Sequence, residues 1–354
     1  MPMDAKTYLK EYAGKADIFL DNFFDKKIKE VAEIGKSSRG VSIAVDMLTR
    51  YKKFSKGGKK LRGALIQLGY EMAGKNKKEV LEASLSIEVI HSFLLMHDDI
   101  EDEDSIRRGA PTIHKQYEEK LEDPHYGVSM GINTGDLGAY LGMELLLNSK
   151  LRQANKVKAG IYLSHLLQRV AYGQGLDTTY EKMKNPKEAD VMQVHLHKTS
   201  IYTIGGPLKI GAILAGVKDD VVKNIEKFGE PVGIAFQLRD DELGLFSDEN
   251  TLGKPIGGDV REGKNTILRI KAIELSKADD KKFLIWAYGN KKITKKDVKK
   301  VQTITQKGGA LDYSQQLARK LIEEGTKYIP KISKDKNYQD LLLDFANLVI
   351  NRTS

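Results

Sequence analysis

The chain is 354 residues long, 40% hydrophobic and 30% charged, with a formal net charge of +9, so it can bury a sizeable core and does not read as disordered. It contains no cysteine, which excludes disulfide scaffolds, thiolate metal sites, iron–sulfur clusters and cysteine nucleophiles together. The positive balance suits nucleic acid, a membrane surface or phosphorylated substrates, but it coexists with the acidic runs DDIEDED at 98–104 and RDDE at 239–242, so charge alone selects no partner.

The opening MPMDAKTYLKEYAGK lacks the apolar stretch of a secretory signal, and no window offers roughly 18 uncharged apolar residues for a membrane span. The expectation is a soluble, cytoplasmic protein with no integral membrane segment. Only eight prolines occur, and the stretches between them carry apolar residues at three and four spacing, as in Val80, Leu81, Leu85, Ile87, Ile90, Leu94 and Leu95. Length by itself suggests about two domains. The pattern instead predicts one all-α domain over 1–354.

GGKKLR at 57–62 sets Lys59 and Arg62 three apart, near one face if helical. A helix over about 79–102 is apolar around most of its circumference, which places it inside a large bundle. It runs through Phe93, Leu94, Leu95 and Met96 directly into His97 and the acidic cluster, where Asp98 and Asp102 lie about 40° apart on one helical face. His91 falls on the same stripe. Two carboxylates at this spacing can hold Mg²⁺, which takes one or two carboxylates and fills its shell with water and phosphate oxygens. An acidic run alone reads as a solvated helix end. Here apolar residues lead into it without a polar transition, which sets it on the wall of an interior cavity.

Arg107 and Arg108 follow the first cluster, and Lys198, Lys254 and Lys264 add cations further on. A second apolar helix over about 220–246 carries Gln237, which shares a face with Asp240 and Asp241. Two such clusters on separate core helices suggest metal ligands facing each other, because gathered aspartates need cations to offset their repulsion. Lysines at 291, 292, 295, 296, 299 and 300 have no interleaved aromatics and read as a solvated surface, with no nucleic-acid partner.

Taken together these residues resemble the trans-isoprenyl diphosphate synthases, the polyprenyl synthetase family that includes farnesyl and geranylgeranyl diphosphate synthases. The elements, in the family's order, are GGKKLR at 57–62, HSFLLMHDDIEDEDSIRRGAPTIH at 91–114, GQGLD at 173–177, KTS at 198–200, FQLRDDELG at 236–244 and GKPIGGDVREGK at 253–264. The resemblance implies a single large helical bundle of isoprenoid synthase type around a central elongation cavity, a homodimer, and Mg²⁺ as cofactor. It implies that Asp98 and Asp102 ligate two Mg²⁺ ions on an allylic diphosphate and Asp240 a third, with Arg107, Lys198, Lys254 and Lys264 on that same diphosphate. Isopentenyl diphosphate would be held through Gly58, Lys59, Arg62, His91 and Arg108, while Thr199 and Gln237 would face the reacting carbon chain.

Family members often set product length with bulky residues four and five positions before the first aspartate, here Leu94 and Phe93. An aromatic at the fifth position is similar to archaeal-type geranylgeranyl synthases, with farnesyl or a longer product as the alternative. An ideal wheel puts Phe93 about 140° from Asp98, which keeps an ordinary core phenylalanine as the other reading. Two departures stand out: Gly244 where many members have a third aspartate, and Gly63 where many have proline. Three rivals are a metal-dependent HD-type phosphohydrolase using His97-Asp98 with His195 and His197, a class I terpene cyclase, and a non-catalytic regulatory subunit. The first leaves Lys59, Arg62 and the second aspartate cluster unexplained, and the second has no use for a second diphosphate site.

Overall fold

A computed structural model describes residues 3–34, 39–183, 186–247 and 257–351. In chain order they form α1 (Ala5–Ile34), α2 (Arg39–Ser55), α3 (Leu61–Glu71), α4 (Lys77–Glu101), α5 (Ile113–Leu121), α6 (Pro124–Asn148), α7 (Gln153–Glu181), α8 (Glu188–Val194), a π-helical segment (His195–Gly205), α9 (Gly206–Ala215) and α10 (Asp219–Phe246), with shorter helices from Gly258 to Asn351. Among the described residues the strands are two residues each, β1 (Ile106–Arg107) and β2 (Ala110–Pro111), paired antiparallel. The fold is all-α, as the proline spacing predicts.

The described chain forms two compact units, one of Met3–Ile161 with Ile210–Val217, the other of Tyr162–Lys209 with Lys218–Ser354. In the first, α4 starts at an Asn76 cap whose side chain accepts the Lys78 N–H. Val80, Ala83, Leu85, Ile87, Val89, Ile90 and Met96 are all buried along it. Glycines on α6 bring it close: a Cβ at Gly142 would lie 2.5 Å from Ile90, and one at Gly135 would lie 2.6 Å from the His97 ring. By length and composition α4 holds an 18-residue window apolar enough to cross a membrane, with mean hydropathy 1.3, although glutamates such as Glu88 interrupt it and no window is uncharged. Of that window 61% is buried inside the protein, and core burial accounts for its apolar character.

In the second unit α10 lies against the π-helical segment. A Cβ at Gly229 would sit 2.2 Å from Cα of Gly205, and one at Gly233 would sit 2.5 Å from the Ser200 carbonyl oxygen. Ser200 Oγ donates to the Glu230 carbonyl at 2.6 Å between them. The touching residues are five apart on one element, 200 and 205, and four apart on the other, 229 and 233. Those steps match the i→i+5 repeat of a π-helix and the roughly 3.6-residue turn of an α-helix. At the end of α10 and beyond it, Leu245, Val260, Leu268, Leu284, Val298 and Val301 form an apolar cluster.

Gly229→Ala should destabilise the protein by about 1–3 kcal/mol, because the obstacle is backbone and cannot swing aside. Gly14→Ala, on α1 with nothing within 4 Å of its Cβ position, should be neutral or stabilising by about 0.5–1 kcal/mol. Denaturant titration of both variants checks the contrast, which fails if Gly229→Ala melts like wild type.

Candidate active site

The loop before α3 is shaped by backbone of unusual hand: Gly57, Gly58 and Lys60 have φ of 70°, 78° and 47°. Lys60 turns inward, is buried, donates from Nζ to the Ser55 carbonyl at 2.5 Å and lies 3.7 Å from Asp17. Its neighbour Lys59 is exposed. Arg108, in the two-residue turn between β1 and β2, also has a left-handed φ of 52°. For a side-chain-bearing residue that conformation costs roughly 1–2 kcal/mol, and such strain gathers at functional positions. Its guanidinium leans on Gly58, where a Cβ would lie 3.3 Å from Nη2, and its Nη1 donates to the Lys56 carbonyl at 3.3 Å.

The Gly63 departure acquires a physical reason here. Its N–H donates to Glu88 Oε1 at 2.8 Å, a bond proline cannot make, and a Cβ at this position would lie 2.2 Å from the Tyr12 hydroxyl. Glu88 is thereby held, buried, beneath the basic residues. His91 reports their field. Burial first, then the charges of Arg62, Arg108, Arg107 and Lys60, hold its imidazole well below the ordinary histidine value. Four cations bearing on one neutral ring make an anion site, and arginine forks match phosphate oxygens.

Asp98 and Asp102 stand one turn apart at the end of α4, where the Asp102 N–H bonds the Asp98 carbonyl at 2.8 Å. Carboxylates are unfavourable at a helix C-terminus, whose backbone dipole is itself negative. Arg107 compensates: its Nε donates to Asp99 Oδ1 at 2.5 Å, and its Nη2 lies 3.5 Å from Asp98 and 3.8 Å from Asp104. Asp99 is 0% exposed and was not singled out from the sequence, whereas the Asp98 side chain is 25% exposed. Among the described residues no three carboxylate or imidazole ligands form a ready cage. Phe93, on the same helix, meets His97 edge to face at 4.8 Å on the side of Gly135, and Leu94 is half-buried.

In the second unit, a Cβ at Gly173 would lie 2.3 Å from the Lys198 nitrogen, so α7 passes directly against this backbone. Four residues on, the buried Asp177 accepts from Lys198 Nζ at 2.7 Å. Thr199 follows, half-buried. On α10 the last two acids of RDDE are buried and the first is not. Asp241 and Glu242 are buried, Asp241 taking Gln237 Nε2 at 2.7 Å and Glu242 taking Arg239 at 2.8 Å and Ser314 at 2.9 Å, while Asp240 is half-buried. The second oxygen of Asp241 lies 3.1 Å from His195 Nε2.

Gly244 is also explained. A Cβ there would lie 2.5 Å from Asp259 Oδ2, so a neighbouring carboxylate occupies the space in which a third aspartate would begin. Lys264, half-buried, follows that turn, its N–H on the Asp259 carbonyl at 2.9 Å. Lys254 lies outside the described residues. Of the histidines offered to a phosphohydrolase, His97 lies against Ile132 and Asp136, His195 against Asp241, and His197 accepts from Arg169.

The family model described as polyprenyl synthetase matches residues 46–305, which include every sequence-predicted site residue. The chain belongs to the polyprenyl synthetase family. This family member is a trans-prenyltransferase. It is 34% identical to the geranylgeranyl diphosphate synthase of Sulfolobus acidocaldarius over 94% of this chain and 99% of that protein. The corresponding enzyme of Methanosarcina mazei is 33% identical over 91% and 98%. Among solved structures, geranylgeranyl pyrophosphate synthase from Corynebacterium glutamicum, complexed with isoprenyl diphosphate and magnesium, matches with a TM-score of 0.89 and 29% identity, covering 99% of this chain and 100% of its own.

The depressed His91 value sets an acid limit on this prenyltransferase. The folded protein keeps the ring neutral, while the unfolded chain titrates near about 6.5, so below that pH the unfolded state binds more protons and stability falls. His91→Gln should therefore lose less melting temperature than wild type between about pH 7.5 and about pH 5.5, measured without diphosphates. His114 and His197 are shifted the same way and contribute equally to both proteins. Identical losses would refute the assignment.

Proposed function

We propose that this prenyltransferase joins an allylic diphosphate to isopentenyl diphosphate and releases geranylgeranyl diphosphate. The observation that carries the reading is the convergence of Arg62, Arg107, Arg108 and Lys60 on a neutral His91, seven residues along α4 from the accessible Asp98. Gly58, Lys59, Arg62, His91 and Arg108 would hold isopentenyl diphosphate, with Gly58 leaving room for backbone and guanidinium to approach the same oxygens. Arg107, Lys198, Lys254 and Lys264 would hold the allylic diphosphate. Mg²⁺ carried by Asp98, Asp102 and Asp240 would neutralise the leaving diphosphate. Breaking the allylic C–O bond sends its electron pair to that diphosphate. The double bond of isopentenyl diphosphate then attacks the allylic carbon, and loss of a proton to the released diphosphate restores an alkene. Thr199 Oγ and the Gln237 carbonyl would face the transient positive charge, where oxygen dipoles stabilise it.

The same reading treats 1–354 as one cytoplasmic catalytic domain working as a homodimer. Exposed Ile132, Tyr140 and Leu147 on α6, with Val157 and Ile161 on α7, support a self-association surface.

Incubating the purified chain with Mg²⁺, isopentenyl diphosphate and each allylic primer tests the reaction, with product length read by chromatography. Asp98→Ala and Asp240→Ala should each lower turnover by orders of magnitude while melting near wild type, since each removes a ligand whose effect is felt chiefly as charge develops. Near-normal rates at saturating Mg²⁺ would overturn the metal assignment.

Phe93→Ala should yield longer products if its ring, braced on His97, stops the growing tail. Packing a chain past such a ring costs roughly 1–3 kcal/mol, enough to bias the next condensation about tenfold. Unchanged products with a lowered melting temperature would make Phe93 a core residue only, at a cost of about 3–5 kcal/mol.

A further inference from the structure

The pair formed by His195 and Asp241 has no part in the roles assigned above. Both side chains are buried, at 4% and 6% exposure, and each belongs to an element carrying a proposed reaction-site residue. His195 opens the π-helical segment three residues before Lys198, and Asp241 follows Asp240 on α10. His195 Nε2 lies 3.1 Å from Asp241 Oδ2, and Asp241 Oδ1 accepts from Gln237 Nε2 at 2.7 Å. We infer that His195 is a positioning residue for Gln237: it fixes the Asp241 carboxylate, which takes the amide nitrogen and so turns the Gln237 carbonyl oxygen toward the reacting carbon chain.

The chemistry of the two ends of an amide carries the argument. A carboxylate accepts and does not donate, so only the NH₂ end of Gln237 can face Asp241, and the carbonyl must point the other way. That orientation holds only while the carboxylate itself is held, because a buried aspartate with one partner can rotate about its terminal bond. His195 Nε2 supplies the second contact by close approach, 3.1 Å from the other carboxylate oxygen, which makes no hydrogen bond of its own.

Its place on the chain depends on the π-helix. His195, Ser200 and Gly205 are successive five-residue steps, and the latter two meet Gly233 and Gly229 of α10. In an α-helix residues five apart diverge by about 140°, so an α-helical register would turn His195 away from the stripe that reaches Asp241. π-helical turns occur frequently at functional sites.

This inference rests on the prenyltransferase reading, and a double-mutant cycle tests it. His195→Leu should lower kcat by about ten- to a hundredfold, with KM for isopentenyl diphosphate little changed. Gln237→Ala should do the same, and the double variant should be no slower than Gln237→Ala alone, since the two residues act as one unit. His195→Gln, whose amide is long enough to reach Asp241, should recover most of the rate. Should His195→Leu not fold, His195→Asn replaces it in the cycle, its side chain being too short to reach Asp241. Losses that multiply in the double variant, or an unchanged kcat, would overturn the inference. A crystal structure of the ligand-free His195 variant adds a readout independent of turnover: Gln237 should leave Asp241, and an unmoved Gln237 rejects the positioning role whether or not the wild type is active. A wild type that consumes no isopentenyl diphosphate with any allylic primer would instead reject the reaction itself.

Discussion

Arg107 is the counter-ion on which the end of α4 depends. Three aspartates, 98, 99 and 104, crowd a helix terminus that is already electronegative, and one guanidinium touches all three. Asp99 is the fully buried anchor of that contact, and it leaves Asp98 as the oxygen-bearing group nearer to solvent. A buried carboxylate without a partner would cost several kcal/mol, and the short β1–β2 hairpin offsets that cost by returning an arginine to the acidic run. The same hairpin places Arg108 in its strained turn over Gly58. One short hairpin thus serves a carboxylate cluster with Arg107 at the end of β1 and a cation cluster with Arg108 in its turn.

Much of this was legible in the sequence wherever a helical period governs the geometry. The expected helices over 79–102 and 220–246 are Lys77–Glu101 and Asp219–Phe246, and the one-turn spacing of Asp98 and Asp102 follows directly. What stayed hidden depends on contacts far apart in the chain or on backbone without a helical period. Nothing in KK at 59–60 says that the second lysine turns inside, because the left-handed backbone before α3 obeys no wheel. Asp99 and Asp98 look alike until Arg107 selects between them. Gly63 and Gly244 read as departures from a pattern, yet each faces a specific carboxylate, Glu88 or Asp259. His195 enters the sequence reading as a metal ligand only because an HD-type phosphohydrolase needs further histidines, and its observed neighbour is Asp241.

Close backbone approach is the recurring means of placing these groups. Gly135 and Gly142 let α6 settle onto α4, Gly173 lets α7 pass the nitrogen of Lys198, and Gly229 with Gly233 admits the π-helical segment. Side chains at these positions would push the helices apart by ångströms, and a misplacement of about 1 Å can cost about a hundredfold in rate. The glycines therefore act on chemistry they never touch.

The π-helical segment also constrains how this gene can change length. Surface loops accept insertions and deletions readily, and most helices accept them near their ends. Between His195 and Lys198 a single deleted residue would not merely shorten the chain. It would turn the two side chains by roughly a quarter of a circle relative to each other. One contact, Lys198 with Asp177 or His195 with Asp241, could then be kept only by abandoning the other. Length in this stretch is accordingly inherited as an angle, and drift here should proceed by substitution alone.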